Sequence, residues 1–364
     1  NRFFQHLILK SNPLISVLMP VRNEASFLPG CLEDILSQTL TEIELVIVDD
    51  GSTDTTAELL KEASQRDSRI RVIHTKPKGI ISALNTGLAE CNGQYIARMD
   101  ADDRMDKTRL EKQLKLMISN PELELTGCRM EGFTDSGRIT ESIEKYQSWS
   151  NSLISHQQIV CDLFAECPIA HPTFFATRHL FNKLGGYSTN PWAEDYDFIL
   201  RAYKEGAKLA KHPEKLVQKF HASGRLSRVE SIYKRPAMFE AKAHYMLEYG
   251  LLKNRRGVLI AGSGPTGRQA AHSFEKRGVK ILGYVDNRPG PPDRKVKSWP
   301  AWGFRDLPPA EFLDKFRDAL ILLAIGDSEG QRAFAELLRK LDFIENTDFV
   351  RVIYNWPAAS ACFD

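Results

Sequence analysis

Long apolar runs and paired cysteines are both missing from this sequence. No run approaches the ~18 residues that a membrane-spanning helix needs, and the longest, Ala319 to Ile325, has the length of a strand. The six cysteines include no Cys-x-x-Cys pair and match no usual zinc spacing. We therefore expect reduced thiols in a cytoplasm rather than a disulfide framework.

An excess of charge of either sign is also missing. The 49 Lys and Arg residues balance 47 Asp and Glu residues, for a net charge of +2. This balance argues against a protein that binds nucleic acid through bulk charge. The chain begins with Asn1 and shows no signal-peptide pattern there. We expect a cytoplasmic protein, and a length of 364 residues predicts two domains of the usual ~100 to 200 residues each.

Three carboxylates within four positions close the apolar run from Tyr95 to Asp103. In extended backbone the side chains at i and i+2 share a face, so Asp100 and Asp102 would point the same way. Hard divalent cations such as Mg²⁺ and Mn²⁺ prefer carboxylate and phosphate oxygens. An isolated Asp-x-Asp is more often a solvated turn or a helix cap, so the surrounding pattern must decide between the two interpretations.

The surrounding pattern alternates buried strands with helices. The apolar runs cover residues 14–21, 43–48, 69–74 and 94–99, and helical spacing follows the first three. Thr55 and Glu58 have the spacing of a capping box, and residues 150–166 have the spacing of an amphipathic helix. The alternation predicts an α/β fold with a mostly parallel sheet, whose ligands bind at the carboxyl ends of the strands.

Polar residues cluster at those carboxyl ends. Pro20 and Arg22 follow the first strand, Asp49 and Asp50 the second, and the three carboxylates the fourth. Asp50 can accept a hydrogen bond from the imide N–H of uracil or thymine, while a metal at Asp102 holds a pyrophosphate. A turn that leads into a helix is the plainer explanation for either Asp49 or Asp50 alone.

Four ordered motifs resemble the nucleotide-sugar-binding half of family 2 glycosyltransferases, which have the GT-A fold. They are Met-Pro-Val-Arg-Asn-Glu (19–24), Val-Asp-Asp-Gly-Ser-Thr-Asp (48–54), Ala-Leu-Asn-Thr-Gly-Leu (83–88) and Asp-Ala-Asp-Asp (100–103). The resemblance covers residues 13–228. It implies a cofactor, Mn²⁺ or Mg²⁺, with Asp102 as the principal ligand and Asp100 as its partner. It also implies that the nucleotide sugar contacts Pro20, Arg22, Glu24, Asp50, Asp100 and Asp103.

The segment from Trp192 to Phe198 carries a second acidic pair, Glu194 and Asp195. Sugar transfer to a hydroxyl needs a base, and a well-placed carboxylate contributes typically ~10² to 10⁴ in rate. The pair resembles the Glu-Asp motif of inverting family members, in which the Asp is the base. Acidic residues in the first turn of a helix are the alternative explanation. His171 resembles part of the family's acceptor side and is equally well explained as a core histidine.

His221 precedes Ala-Ser-Gly-Arg-Leu-Ser and resembles a family segment whose His supplies a third metal ligand or a phosphate contact. A surface histidine is the alternative. The chain lacks the Gln/Arg-x-x-Arg-Trp motif of processive polysaccharide synthases, which argues against a polymer-extruding enzyme.

The last third of the chain has its own pattern. Residues 225–256 hold eight Lys or Arg against three Glu, and a helix between Pro236 and Gly250 would pack on the protein or, as the weaker alternative, lie on an anionic membrane. A Gly-x-Gly-x-x-Gly loop then follows a strand and fits the dinucleotide fingerprint. This part resembles the nucleotide-binding domain of bacterial sugar acyltransferases. A Rossmann domain that binds no ligand is the alternative interpretation. The residues of this loop and its acid are Gly262, Gly264, Gly267 and Asp286.

These observations predict a GT-A catalytic domain (1–228), a helical linker (229–253) and a smaller Rossmann-like α/β domain (254–364). The resemblance implies an inverting, metal-dependent glycosyltransferase that moves a sugar from a UDP- or dTDP-linked donor to a glycan or lipid-linked hydroxyl. A non-catalytic nucleotide-sugar sensor and a sugar-nucleotide pyrophosphorylase remain as alternatives. Peripheral contact with the inner face of a membrane and assembly into a homo-oligomer are left open, and residues 1 to about 250 should transfer sugar alone.

Overall fold

The structure is a computed structural model of the chain that describes residues 13–134, 137–221, 230–286, 294–303 and 307–354. The chain forms two compact units. The first comprises residues 1–159, 169–190 and 194–225, and the second comprises residues 160–168, 191–193 and 226–364. No helix within the described ranges is long and apolar enough to cross a membrane.

Strands and helices alternate through the first half of the chain, as the apolar runs predict. The strands are β1 (Ile15–Val21), β2 (Ile43–Asp49), β3 (Ile70–His74), β4 (Tyr95–Arg98), β5 (Arg104–Met105), β6 (Leu123–Phe133), β7 (Phe175–Thr177) and β8 (Lys208–Phe220). The helices are α1 (Leu28–Leu36), α2 (Thr56–Arg66), α3 (Ile80–Glu90), α4 (Arg109–Ser119), α5 (Glu141–Ser152), α6 (His156–Cys161), α7 (Arg178–Leu184) and α8 (Glu194–Lys204).

One mixed sheet runs through the described part of the first unit in the order β3-β2-β1-β4-β7-β6-β8-β5. Strands β3, β2, β1 and β4 are parallel, so their carboxyl ends lie along one edge. Helices cover both faces of this sheet. On one face Met19 of β1 packs into a core with Ile35 of α1, and on the other Gly87 of α3 lies against Leu18 of β1 and Val48 of β2. The predicted α/β architecture is confirmed, and the shared strand edge is where the predicted site residues meet.

Two local predictions are wrong. The expected helix over residues 150–166 is instead α5 and α6, separated at residues 153–155, where the Gln158 side chain accepts hydrogen bonds from the backbone of Ile154 and Ser155. The capping box does not form either, because the Thr55 side chain makes no cap hydrogen bond. A tertiary hydrogen bond forms at the start of this helix in place of the cap, because the Thr56 hydroxyl accepts from Glu24 N at 2.9 Å.

The second unit contains a smaller sheet of its own. Its strands are β9 (Gly257–Ala261), β10 (Ile281–Asp286), β11 (Lys295–Val296), β12 (Trp299–Gly303), β13 (Ala319–Leu323) and β14 (Phe349–Arg351). Its helices are α9 (Arg235–Glu248), α10 (Pro265–Glu275), α11 (Pro309–Phe316) and α12 (Ser328–Lys340). The sheet has the order β11-β12-β10-β9-β13-β14 and is parallel except for β11, which is antiparallel at its edge. Helix α9 packs against α10.

The cysteines agree with the sequence expectation at four described positions and differ at one. Cys31, Cys91, Cys128 and Cys167 are free thiols. Cys161 is disulfide-bonded, which corrects the expectation of reduced thiols at that position.

Candidate active site

Three carboxylates come together directly after β4. One oxygen from each of Asp100, Asp102 and Asp103 lies within 4.8 Å of the others. The turn brings Asp103 N to 3.3 Å from Asp100 O, and buried Asp103 accepts a hydrogen bond from Phe220 N at 2.7 Å. This set of hard oxygen donors fits Mg²⁺ or Mn²⁺. The sequence interpretation assigned Asp103 to the nucleotide sugar, and the structure places it within the same carboxylate cluster.

His221 follows the residue that binds Asp103. Its backbone N–H donates to Phe133 O at 2.9 Å, and its imidazole lies against Gly132, where an added Cβ would come within 3.1 Å of Nε2. The predicted Ser-containing segment after it lies outside the described residues. The assignment of His221 as a metal ligand stays a prediction.

Asp50 is buried at the end of β2, where its carboxylate holds the start of α3. One oxygen accepts from Lys78 N at 2.8 Å and the other from Gly79 N at 2.8 Å. These bonds fix the loop between β3 and α3. Pro20 is paired in register with Val48, which places it at the same strand edge as Asp50.

The turn after β1 is joined to the turn after β2. Asn23, at a φ of 56°, accepts a hydrogen bond from Thr53 N at 2.7 Å through its side chain and donates from its backbone to Ser52 Oγ at 3.0 Å. Arg22 is exposed beside this junction, and Glu24 is half-buried. The joined turns hold Arg22 at the edge where the β1 and β2 strands end.

Glu194 and Asp195 open helix α8. Asp195 Oδ1 accepts from Tyr196 N at 2.7 Å, while the Glu194 carboxylate is buried. Desolvation, followed by the charge of Glu194, raises the pKa of Asp195 above its ordinary value. A raised pKa makes a carboxylate a stronger base, which is the property that proton removal from a hydroxyl requires.

His171 is a buried, neutral partner of this acidic pair. Its Nδ1 lies 3.4 Å from Glu194 Oε1, and its Nε2 lies 2.9 Å from the Tyr187 hydroxyl. Burial, followed by the charge of Arg98, lowers the pKa of His171 to about 3. The pKa of Tyr187 is raised by burial. The Tyr187 hydroxyl therefore stays protonated and can donate to His171, whose other nitrogen faces Glu194.

The carboxylate cluster and the acidic pair share one electrostatic environment. Asp195 and Asp100 both act on the His171 imidazole and raise its pKa against the larger effect of burial. The site can therefore hold a divalent cation with an anionic leaving group near a carboxylate of raised basicity. Sequence patterns indicated these carboxylates and His171, whereas the contribution of Arg98 was missed because a single arginine within a strand carries no distinctive spacing.

Comparison with known proteins shows which family has these features. Residues 16–185 match the sequence model of Glycosyl transferase family 2. Residues 16–185 therefore form a domain of this family. A glycosyltransferase of uncharacterised specificity from Haemophilus influenzae is 32% identical over 215 residues, which cover 58% of this chain and 66% of that protein. The glycosyltransferase EpsJ of Bacillus subtilis is 29% identical over 256 residues, covering 66% of this chain and 71% of EpsJ.

Solved structures support the GT-A fold of this family 2 glycosyltransferase. Staphylococcus aureus TarS residues 1–349, in complex with UDP-GlcNAc, align with a TM-score of 0.53 at 19% identity, covering 66% of each chain. The mannosyltransferase PcManGT of Pyrobaculum calidifontis, in complex with GDP-Man and Mn²⁺, aligns with a TM-score of 0.51 at 18% identity, covering 72% of this chain and 69% of PcManGT. At such identities the likeness establishes the fold alone.

The family 2 match ends at residue 185, before the glycine loop of the second unit, which joins β9 to α10. A Cβ on Gly262 would come within 2.6 Å of Ala324 O, and one on Gly267 within 1.8 Å of Gly262 O. Gly264 has open space around it. Asp286 bonds the Ser263 hydroxyl and pairs with Arg294 at 2.8 Å. The loop therefore has no room for a side chain at Gly262 or Gly267 and has open space at Gly264. The Asp286 carboxylate already has protein partners.

Proposed function

We propose that this family 2 glycosyltransferase moves a sugar from a nucleoside diphosphate sugar to a hydroxyl acceptor in an inverting, metal-dependent displacement. The observation that carries the proposal is the pairing of two acidic groups, the cluster of Asp100, Asp102 and Asp103 and the pair Glu194 and Asp195. Both groups influence His171. A metal ion and a base are the two aids that this reaction needs.

The residues divide the work as follows. Asp102, with Asp100 and Asp103, would hold Mn²⁺ or Mg²⁺, and His221 is the further ligand that we propose. The bound ion supplies positive charge that stabilises the departing diphosphate. Asp195 removes the acceptor proton while the acceptor oxygen forms its bond to the anomeric carbon and the bond from that carbon to the diphosphate breaks. Glu194 holds the pKa of Asp195 high through its charge.

We infer that the donor carries uracil or thymine. Asp50 lies at the strand edge with Pro20. Its Oδ1 accepts from both Lys78 N and Thr75 Oγ1, whereas its Oδ2 keeps a second lone pair after binding Gly79 N. An imide N–H can donate to such a lone pair. The complexes of TarS with UDP-GlcNAc and of PcManGT with GDP-Man and Mn²⁺ support a nucleoside diphosphate sugar as the class of donor. The acceptor that we propose is a glycan or lipid-linked hydroxyl.

A transfer assay tests this proposal against its rivals. UDP-glucose, UDP-N-acetylglucosamine, UDP-galactose, dTDP-rhamnose and GDP-mannose are each incubated with Mn²⁺ and a panel of glycoside and polyprenyl-linked acceptors. We expect nucleoside diphosphate release that depends on acceptor, with the anomeric configuration inverted in the product by NMR. Formation of nucleoside triphosphate and sugar 1-phosphate from added pyrophosphate would instead identify a pyrophosphorylase, and binding without turnover would identify a sensor.

A further inference from the structure

Arg98 is a fully buried cation directly beneath the carboxylate cluster. It ends β4, its side chain is 2% exposed, and its Nη1 lies 2.5 Å from Asp100 Oδ1. Its backbone is fixed on both sides, because its N–H donates to Phe174 O at 2.9 Å and its carbonyl accepts from Arg109 Nη2 at 3.0 Å. Burying a charge costs several kcal/mol unless a partner offsets it. The ion pair with Asp100 is therefore what allows a guanidinium at this depth.

Asp100 forms the more exposed end of this ion pair, with its side chain 22% exposed against 2% for Arg98. Burial opposes the charge of Arg98, but Asp100 raises the pKa of Arg98 above its ordinary value. Asp100 thus has a buried cation on one side, while one oxygen each of Asp102 and Asp103 lies within 4.8 Å of its own.

We propose that Arg98 is a positioning residue of the carboxylate cluster. Through its ion pair at 2.5 Å it holds the Asp100 carboxylate in place for a divalent cation. The inference rests on the proposed function only in the purpose of the cation, because its test measures the binding of a metal ion alone.

The loss of Arg98 should disturb the metal site first. Without the guanidinium, Asp100 faces Asp102 and Asp103 with no cation at 2.5 Å to fix its orientation. A partner that orients a metal ligand typically contributes ~10- to 100-fold in metal affinity.

The test measures Mn²⁺ binding to the full chain by electron paramagnetic resonance of the free ion, with no nucleotide present. The variants are Arg98→Met, Arg98→Lys, Asp100→Asn and the double variant of Arg98→Met with Asp100→Asn. Lys211→Met is the matched control, since the Lys211 ammonium is equally buried but donates to Ser150 Oγ at 2.9 Å. Thermal unfolding of each variant reports whether it is folded.

We expect Arg98→Met to weaken Mn²⁺ binding at least about tenfold, Arg98→Lys to recover part of it, and the double variant to bind no worse than Asp100→Asn alone. Lys211→Met should lower the melting temperature and leave Mn²⁺ affinity within about twofold. Wild-type affinity in Arg98→Met, an equal loss in Lys211→Met, or no Mn²⁺ binding by the unaltered chain would each overturn the inference. If Arg98→Met does not fold, wild-type affinity and turnover in Arg98→Lys would overturn it. An unaltered chain that binds Mn²⁺ but transfers no sugar would defeat the proposed function, while the Mn²⁺ series would still decide the role of Arg98.

Discussion

Asp195 lies in surroundings that differ from those of an ordinary aspartate at a helix start. Desolvation and the adjacent Glu194 charge raise the pKa of Asp195, and the charge of Lys219 only partly opposes them. An aspartate that merely stabilised the helix dipole would have no need of a buried glutamate beside it. The arrangement suits a general base, whose efficiency rises as its pKa approaches the working pH.

Replacing Asp195 by Asn should keep the donor bound and lower the turnover number at least about a hundredfold, because the amide preserves shape and loses basicity. Steady-state transfer kinetics and donor titration separate the two effects. Asp197→Asn is the control, since buried Asp197 pairs with Arg201 at 2.7 Å and should chiefly affect stability. An unchanged turnover number in Asp195→Asn would assign the base elsewhere, with Glu194 as the next candidate.

His171 should make folding stability depend on pH. The pKa of His171 is lowered from 6.5 to about 3 in the folded protein. At pH values between these two, the imidazole is protonated in the unfolded chain and neutral in the folded chain. This contribution is fully present above pH 6.5 and is lost as the pH falls toward 3. Between pH 7 and pH 5 it should remove about 2 kcal/mol from the free energy of unfolding.

Urea denaturation of the unaltered chain and of His171→Gln at both pH values isolates this contribution as a difference between the two proteins. The variant should lose about 2 kcal/mol less than the unaltered chain over that interval. Identical pH dependence in the two proteins would show that His171 is not a buried neutral imidazole.

At the scale of elements, sequence periodicity predicted the alternating strands and helices well, because buried parallel strands are nearly continuous apolar runs. The prediction worked less well where side chains replace backbone partners. The Gln158 side chain binds the backbone at the break between α5 and α6, which the sequence had predicted to be one helix. At the start of α2, the Thr56 hydroxyl accepts a hydrogen bond from Glu24 N, and the predicted cap by Thr55 does not form. The carboxylate cluster was visible as a motif, but the ion pair between Arg98 and Asp100 depends on burial, which one-dimensional spacing does not reveal.

The close packing of β4 against β1 predicts a sensitive glycine. A Cβ on Gly93 would lie 2.4 Å from Ser16 N and 2.8 Å from Ile15 C, so Gly93→Ala must move backbone. Overpacking of this kind typically costs ~1 to 3 kcal/mol, and it would shift the strand that leads into Asp100. Chemical denaturation and Mn²⁺ titration should both detect the change.

Gly264→Ala is the control for this substitution, because Gly264 in the loop between β9 and α10 has open space around it and a φ of −68° that any residue adopts. We expect its free energy of unfolding to stay within about 0.5 kcal/mol of the unaltered chain. Equal stability of the two alanine variants would contradict the packing of β4 on β1.

At the scale of the whole molecule, the second unit takes in two short segments from the middle of the sequence, residues 160–168 and 191–193. Buried Lys242 donates to Ala165 O at 2.8 Å and to Val352 O at 3.0 Å, and Arg351 pairs with Asp162 at 2.9 Å. The sequence did not predict this grouping, because such contacts join positions almost 200 residues apart. Transfer by residues 1 to about 250 alone stays a prediction, and such a chain would lack Arg351 and Val352.

Arg351→Ala in the full chain tests how firmly these contacts hold the second unit. Removing one partner of a buried ion pair typically costs ~3 to 5 kcal/mol, so the variant should unfold at a clearly lower urea concentration. Lys215→Ala is the control, since Lys215 and Glu131 form an ion pair with both side chains 51% exposed, and such pairs contribute at most ~1 kcal/mol. Equal losses in the two variants would contradict a buried pair at Arg351.

The central claim is that Asp102 and its neighbours hold a divalent cation that in turn holds the diphosphate of the donor. Calorimetric titration of UDP into the unaltered chain and into Asp102→Ala, each in Mn²⁺ and in EDTA, tests it most directly. We expect UDP to bind the unaltered chain at least about tenfold more tightly in Mn²⁺ than in EDTA, and Asp102→Ala to lose this difference, since the ion neutralises charge between carboxylates and diphosphate. Equal UDP affinity of the unaltered chain in Mn²⁺ and in EDTA would contradict the account.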